Sequence, residues 1–369
     1  MTQLRIKASF IRGGTSKGVF FHQKDLPDDI NERNKIFLRI LGSPDYNARQ
    51  LDGLGGGISS LSKIVVVALS DEKDIDLDYT FGQVAVDSPI VDYIGNCGNL
   101  TSAVGPFAVD EGLLSVPDGE VSLRLRNTNT GKVIISHFRV EEGRAVVSGT
   151  YKLAGVQGTG YPIKLDFMSP AGSVSKEILP STKALDFIEV EEIGTVEISL
   201  VDVSTACVFV SASSLNLDLF VNTHNLSEKI AFMDRLEDIR KIGAIKMGLS
   251  PKSLSIPKLI IIDSPKTYSL PDGTDIKKTD INLTSLALSM GKPHKAIPLT
   301  AAMCIATAAK IPGTIPNRLI NLSRSNKNMV NIGHPSGIFF CEPNFKNGHL
   351  DYISVIRTQR RLMKGYAFY

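Results

Sequence analysis

The chain has 369 residues, enough for about two domains on the usual size range. Its 41 Lys and Arg against 38 Asp and Glu leave a net charge of +3, with no basic block or aromatic-interleaved basic stripe, so nucleic acid is not an expected partner. Its 43% hydrophobic residues can fill two cores, yet the longest apolar runs, IVVVAL and LIIID, are far too short to span a bilayer, and four scattered cysteines make no disulfide framework.

The opening MTQLRIKASFIRGG lacks the apolar segment of a secretory signal, so a reducing cytoplasm is the expected compartment. LRIKASFI (4–11) and GVFF (18–21) read as strands, and the acidic DLPDDINE leads into a short helix over 31–41. KIVVVAL (63–69) is a further strand, and a helix follows over 99–110, where Leu100, Val104, Phe107 and Ala108 recur at helical spacing. VSLRLRN (121–127), KVIISHFRV (132–140) and AVVSGTY (145–151) are strands, and PAGSVSKEILPSTK (170–183) has the composition of a linker. Beyond it come the strands TVEISLVDV (195–203) and ACVFVSA (206–212), a helix over 227–247, the strand KLIIID (258–263), a helix over 299–310 and the strand YISVIRT (352–358). Many strands with few helices argue against a doubly wound parallel sheet.

The two halves echo each other. GGTSKGVFF resembles VSTACVFV, pairing Thr15 with Ser204, and SLSKIVVV resembles SIPKLIIID, pairing Lys63 with Lys258. CGNLTSAVGPFAV is matched by TAAMCIATAAKI, pairing Cys97 with Thr300, and NTNTGKV by GHPSGIF, pairing Gly131 with Gly337. Four matches in one order predict a duplicated β-rich unit, each copy wrapped around one apolar helix. The expected domains are 1–180 and 181–353, with the return of 354–369 to the first domain left open.

GNCGN places Cys97 at a helix start, where unpaired backbone N–H groups converge and anions gather. Cys97 then has two readings, a reactive thiol or a small buried hydrophobe. The flanking Asn96, Gly98 and Asn99 imply close backbone approach to something, and Thr300 with Ala301 opens the mirrored helix as a second candidate anion site. Lys63 is either a base or a strand-edge lysine reaching solvent. The loop GLGGGISS lacks the GK[ST] ending and following helix of a phosphate loop, which leaves close approach to carboxylates with Ser59 and Ser60 as donors. GGTSKG offers Thr15, Ser16 and Lys17 in the same style, or is simply a hairpin turn. Asn127 and Asn129 either bind substrate or shape a turn. His334, with Ser336 and Gly337, is the histidine best placed for function, against the common structural role of a lone loop histidine. No histidine pairs with another or with a cysteine at ligand spacing, so no metal site is expected, and Cys207, Cys304 and Cys341 lie in apolar runs that suit a core.

RGGTSKGVFF, DGLGGGISSLSK, GNCGNLTSAVGPFA, NTNTGK, GHPSG and RRLMKGYAFY together resemble the 2-methylaconitate isomerase family, which includes methylitaconate Δ-isomerase and 4-oxalomesaconate tautomerase. The resemblance spans about residue 5 to 369. It implies an α+β, diaminopimelate-epimerase-like fold of two pseudo-symmetric β-rolls, each around a central helix. It also implies a cofactor-independent isomerase that moves a proton along a small unsaturated di- or tricarboxylate, with Lys63 and Cys97 as the functional pair. Epimerases of this fold use two cysteines, whereas Thr300 stands at the mirrored position here and its hydroxyl is too weak an acid to replace a thiol. An allylic shift needs no second thiol, since a proton can leave and return on one face of a planar dienolate. Two rivals remain open at this point: a two-base epimerase or racemase, and a carboxylate-binding protein that kept the fold without catalysis. Members of the family tend to associate, which leaves a homo-oligomer open.

Overall fold

The structure, a computed structural model, describes residues 3–219, 230–253, 256–289, 291–294, 296–321 and 328–369. The chain divides into two units, Met1–Met168 with Val355–Tyr369, and Ser169–Ser354. In chain order the first holds β1 (Arg5–Gly13), β2 (Ser16–His22), α1 (Ile30–Leu41), β3 (Lys63–Leu69), β4 (Leu77–Val84), β5 (Val91–Asp92), α2 (Gly98–Thr101), α3 (Val104–Asp110), β6 (Gly119–Asn127), β7 (Val133–Glu141), β8 (Arg144–Ala145) and β9 (Ile163–Met168).

GVFF is a continuous apolar run because β2 is buried on both faces. Val19 and Phe21 pack with Ile64 and Val66 of β3 against α1, while Phe20 meets Phe107 of α3 with ring centroids 5.5 Å apart. α1 forms where Asp29 caps its first turn by accepting from Asn31 N, and it ends at Gly42 with φ 73°. Its Ile36, Phe37, Ile40 and Leu41 recur at three- and four-residue spacing and bury one stripe.

The expected helix over 99–110 is broken in two, and Pro106 supplies the reason. In a continuous helix Pro106 could not donate to the carbonyl of Ser102, and its ring would crowd that carbonyl. The chain relaxes at Ser102 and Ala103 and restarts as α3, which accepts the proline within its first turn.

The second unit repeats the plan with β10 (Asp186–Val190), β11 (Gly194–Val203), β12 (Thr205–Ser211), α4 (Ile230–Lys246), β13 (Lys258–Asp263), β14 (Tyr268–Ser269), β15 (Asp275–Ile276), β16 (Leu283–Ser289), β17 (Lys292–Pro293), α5 (Leu299–Ala308), α6 (Ile315–Leu319), β18 (Val330–His334) and β19 (Gly337–Lys346), and β20 (His349–Arg357) begins in this unit and ends in the first. The last strand, β21 (Gln359–Phe368), lies in the first unit, antiparallel to β1.

The duplication is visible in register. β1 and β2 form a hairpin, β3 runs parallel to β2 with Val19 opposite Ile64, β4 returns antiparallel, and β6 runs parallel to β4. In the same order β11 and β12 form a hairpin, β13 runs parallel to β12 with Cys207 opposite Lys258, β16 returns antiparallel, and β18 runs parallel to β16. Thr15 and Ser204 sit in the corresponding hairpin turns, and Lys63 and Lys258 each open the strand that follows. α4 occupies the place of α1, burying Leu236 and Ile239 against Val208, Leu259 and Ile261, while α5 is buried nearly all round, as its unbroken apolar sequence requires. Cys207, Cys304 and Cys341 are buried in this unit.

Several elements differ from the sequence expectation. AVVSGTY contributes only Ala145 to a short strand and Tyr151 to an isolated bridge with Gly160. β4, β9, β10, β16, β18 and β19 were not anticipated. β4 alternates buried Leu77, Tyr79 and Phe81 with Asp78 and Thr80, but the acidic run before it masks the pattern. Residues 227–229 of the helix expected over 227–247 fall outside the described residues. Among those described, no helix is long and apolar enough to cross a membrane.

Candidate functional site

Strand alternation sorts the first unit's candidates onto two faces. Gly18 and Phe20 of β2 face α2 and α3, and Ser16, in step with them, brings its Oγ to 3.9 Å from Cys97 Sγ. Ile64 and Val66 of β3 pack toward α1, so Lys63 belongs to the same side as α2. The geometry therefore gathers Ser16, Lys63 and Cys97 on one face of the sheet. Lys17 alternates to the other face, in step with Val19, where its Nζ lies 5.2 Å from the centroid of the Phe10 ring.

Gly13 explains the glycine pair at the hairpin tip. A Cβ there would lie 2.7 Å from the backbone oxygen of Asn99, so only glycine lets β1 approach the start of α2 this closely. Asn99 is pinned from two directions, donating from Nδ2 to Thr15 Oγ1 at 3.1 Å and accepting from Arg357 Nε at 3.1 Å. Cys97 occupies the cap position of α2, where it is partly exposed and its carbonyl accepts the first intrahelical bond from Thr101 N. The N–H groups of Gly98, Asn99 and Leu100 precede that bond and have no acceptor within the helix. Because α2 is a single turn, local N–H donors rather than a long helix dipole make this spot receptive to anions.

Lys63 is 8% exposed, and its ammonium donates to Gln83 Oε1 at 2.6 Å while lying 4.8 Å from the centroid of Phe81. Gln83 is its cross-strand partner on β4, and the Gln83 amide donates in turn to the carbonyls of Ser62 at 2.8 Å and Ser59 at 3.1 Å. The glycine-rich loop closes on its own chain. Gln50, 1% exposed, donates to Ser43 and Ser62 hydroxyls and accepts from Gly57 N, and a Cβ on Gly57, at φ 72°, would lie 2.1 Å from the Ala48 carbonyl. These glycines serve packing that fixes the start of β3. Ser59 and Ser60 lie in a short 3-10 turn, Ser59 exposed and Ser60 partly so.

Asn96 accepts from the Tyr79 hydroxyl at 3.1 Å, and that hydroxyl also meets Thr101 Oγ1 at 2.9 Å. Burial pushes the Tyr79 phenol well above its usual pKa, so it stays a neutral donor. Asn129 has both polar atoms engaged with backbone: Oδ1 accepts from Phe81 N, and Nδ2 donates to the carbonyls of Phe81 and Tyr93. Asn127 is fully buried and holds Thr130 through its carbonyl. Of the two readings open for this pair, the hydrogen bonds match the turn-shaping one.

In the second unit, Thr300 and Ala301 lie within the first turn of α5, behind its cap Pro298. The register differs from that of Cys97, which is itself the cap of its helix. His334 ends β18, 3% exposed, and its Nδ1 accepts from Ser336 N at 3.2 Å. The Tyr268 hydroxyl donates to the carbonyls of His334 and Gly337, clamping that turn. Burial lowers the pKa of Lys258 and, with Cys207 beside it, raises that of Cys304.

Gln83, Gln50, Ser62, Tyr79 and Arg357 were not foreseen from the sequence. Gln83 could have been found only by first recognising β4 and then pairing it antiparallel to β3.

The sequence profile of the PrpF protein family matches residues 3–369. The chain is 37% identical over 374 residues to a 3-methylitaconate isomerase of Eubacterium barkeri, covering 99% of this chain and 97% of that protein. It is 36% identical over 386 residues to a 2-methyl-aconitate isomerase of Shewanella oneidensis, covering 99% and 97%. A crystal structure of a methylitaconate-delta-isomerase superposes with a TM-score of 0.89 at 36% identity, covering 100% of this chain and 96% of that one. Epimerase and racemase structures at 10% and 11% identity, with TM-scores of 0.54 and 0.53, share the fold alone, which is diaminopimelate-epimerase-like. With a match over its whole described length and relatives aligned nearly end to end, the chain belongs to the PrpF protein family and is an isomerase.

Proposed function

We propose that the chain catalyses allylic proton transfer on a small unsaturated di- or tricarboxylate of the methylitaconate or methylaconitate type. Lys63 takes the proton from the allylic carbon, and the electron pair spreads through the double bond into a conjugated carboxylate as a dienolate. Returning a proton at the other end of the dienolate shifts the double bond, and rotation before its return at the original carbon gives the cis–trans isomer. Cys97 is the partner that delivers the proton or stabilises the anion, with the free N–H groups of Gly98 and Asn99 facing the developing charge. Ser16 and Asn99 serve as substrate contacts, and Thr300 is not asked to act as an acid. No group is consumed; exchange with water resets both residues. A reducing compartment, the cytoplasm, suits a mechanism in which Cys97 stays a thiol.

The observation that supports this reading most is the placement of a nearly buried lysine, held by Gln83, on the same sheet face as a partly exposed thiol at a donor-rich turn. Incubating the protein with a panel of unsaturated di- and tricarboxylates in heavy water and following proton NMR tests it. A double-bond shift with deuterium entering the allylic position of at least one substrate is expected. A complete panel with neither isomerisation nor exchange contradicts it.

A further inference from the structure

On the other face of the same hairpin, three cations stand side by side across three adjacent strands. Arg12 on β1 is in register with Lys17 on β2 and with Arg360 on β21. Like charges directly opposite in a sheet repel, and such a row normally recruits carboxylates. Its neighbours do so: Arg361 pairs with Asp110 and Glu111, and Lys364 with Glu111. Among the described residues, Arg12, Lys17 and Arg360 have no ion-pair partner.

The row lines a cavity of about 450 Å³, the size of a small-ligand site, whose walls include no Asp or Glu. The chain around residues 151–159 closes one side and brings the Tyr151 hydroxyl, which burial keeps neutral, and Thr159; Thr358 adds a further hydroxyl. Arg12 is held in place through one nitrogen, Nη1, which donates to the carbonyls of Gly14 and Thr358 and to Thr358 Oγ1. The rest of its fork is left for a ligand. Burial and the adjacent Arg360 both lower the Arg12 pKa, the mark of uncompensated positive charge.

We propose that this cavity, which reaches the hairpin tip at Thr15 and Ser16, binds a small multivalent oxyanion held between Arg12, Lys17 and Arg360. An anion there relieves the repulsion along the row and takes up donors that the protein's own carboxylates leave unused. Tricarboxylates and inorganic phosphate share the required chemistry, and the site does not depend on the reaction proposed above.

Calorimetric titration of the intact protein with tricarballylate, which has no double bond to move, and separately with inorganic phosphate, tests the assignment. Binding of one or both is expected, weakened at least tenfold by Arg360→Gln and by Lys17→Gln. Tighter binding of phosphate identifies a phosphate site and tighter binding of tricarballylate a carboxylate site. The unliganded Arg360→Gln protein should melt at the same temperature as wild type or higher, because a repulsion has been removed. Failure of both anions to bind, affinities indifferent to Arg360→Gln and Lys17→Gln, or a lowered melting temperature of unliganded Arg360→Gln would overturn the proposal.

Discussion

Lys63 and Lys258 occupy equivalent positions in the duplicated plan, yet their surroundings differ. Lys63 meets Gln83 and the Phe81 ring, beside the Cys97 turn, and removing a general base typically costs about 100- to 10,000-fold, so Lys63→Ala should lose that much kcat. Gln83 accepts from the Lys63 amine, and if its part is to aim that amine, Gln83→Leu should lower kcat by roughly tenfold with little change in KM or melting temperature, as a misaimed base would. An equal rise in KM would place Gln83 in substrate binding instead. Lys258 is assigned no part in the chemistry, and burial depresses its pKa below 10.5. The folded state therefore binds fewer protons than the unfolded chain between the depressed value and the ordinary one, and stability rises with pH through that window. Lys258→Met should raise the melting temperature at neutral pH, with an advantage that fades as pH approaches 10.5, and should keep turnover within about tenfold. A loss of activity as severe as that of Lys63→Ala would show that the catalytic lysine lies in the other half. Lys63 stood out through the motifs around it, whereas Gln83 did not, because its contact depends on cross-strand register. Asn129 was open to two readings from its loop composition, and its amide is engaged by the backbone of Phe81 and Tyr93, contacts that also depend on strand register.

At the level of elements, the tip of the β1–β2 hairpin is the part that places Ser16, Thr15 and Asn99. Gly13→Ala forces a Cβ against the Asn99 carbonyl, a backbone atom that cannot swing aside. Overpacking of this kind costs about 1–3 kcal/mol, so urea unfolding should show that loss together with reduced kcat as the turn at Cys97 moves. An Ala variant of wild-type stability and activity would mean the tip is looser than this geometry requires. GVFF and KIVVVAL were readable as strands because burial on both faces leaves an uninterrupted β-branched and aromatic run. β4 and β16 escaped notice since each mixes its apolar residues with Asp, Thr, Ser or Gly, and only pairing with β3 and β13 reveals them. The split between α2 and α3 was legible in principle from Pro106, whose missing donor outweighs the apolar periodicity around it.

For the molecule as a whole, duplication explains how one topology supplies two nearly equivalent frameworks that differ in their thiols: Cys97 is partly exposed at the cap of α2, whereas Cys207, opposite Lys258, and Cys304 are buried. The paired motifs anticipated the order of the elements because turn residues and strand-opening lysines are fixed by local geometry in both copies. Roles within the copies were less legible, since Thr300 sits a step inside its helix while Cys97 caps its own. Division of labour between Lys63 and Cys97 is the point on which the proposed reaction turns. The direct test is solvent-deuterium incorporation into an isomerisable unsaturated carboxylate, measured alongside turnover for wild type, Lys63→Ala and Cys97→Ser. Lys63→Ala should nearly abolish both, while Cys97→Ser, which keeps a polar donor at the turn, should retain measurable exchange with slower turnover. Exchange that survives in Lys63→Ala but vanishes in Cys97→Ser would make the cysteine the base and reverse the assignment.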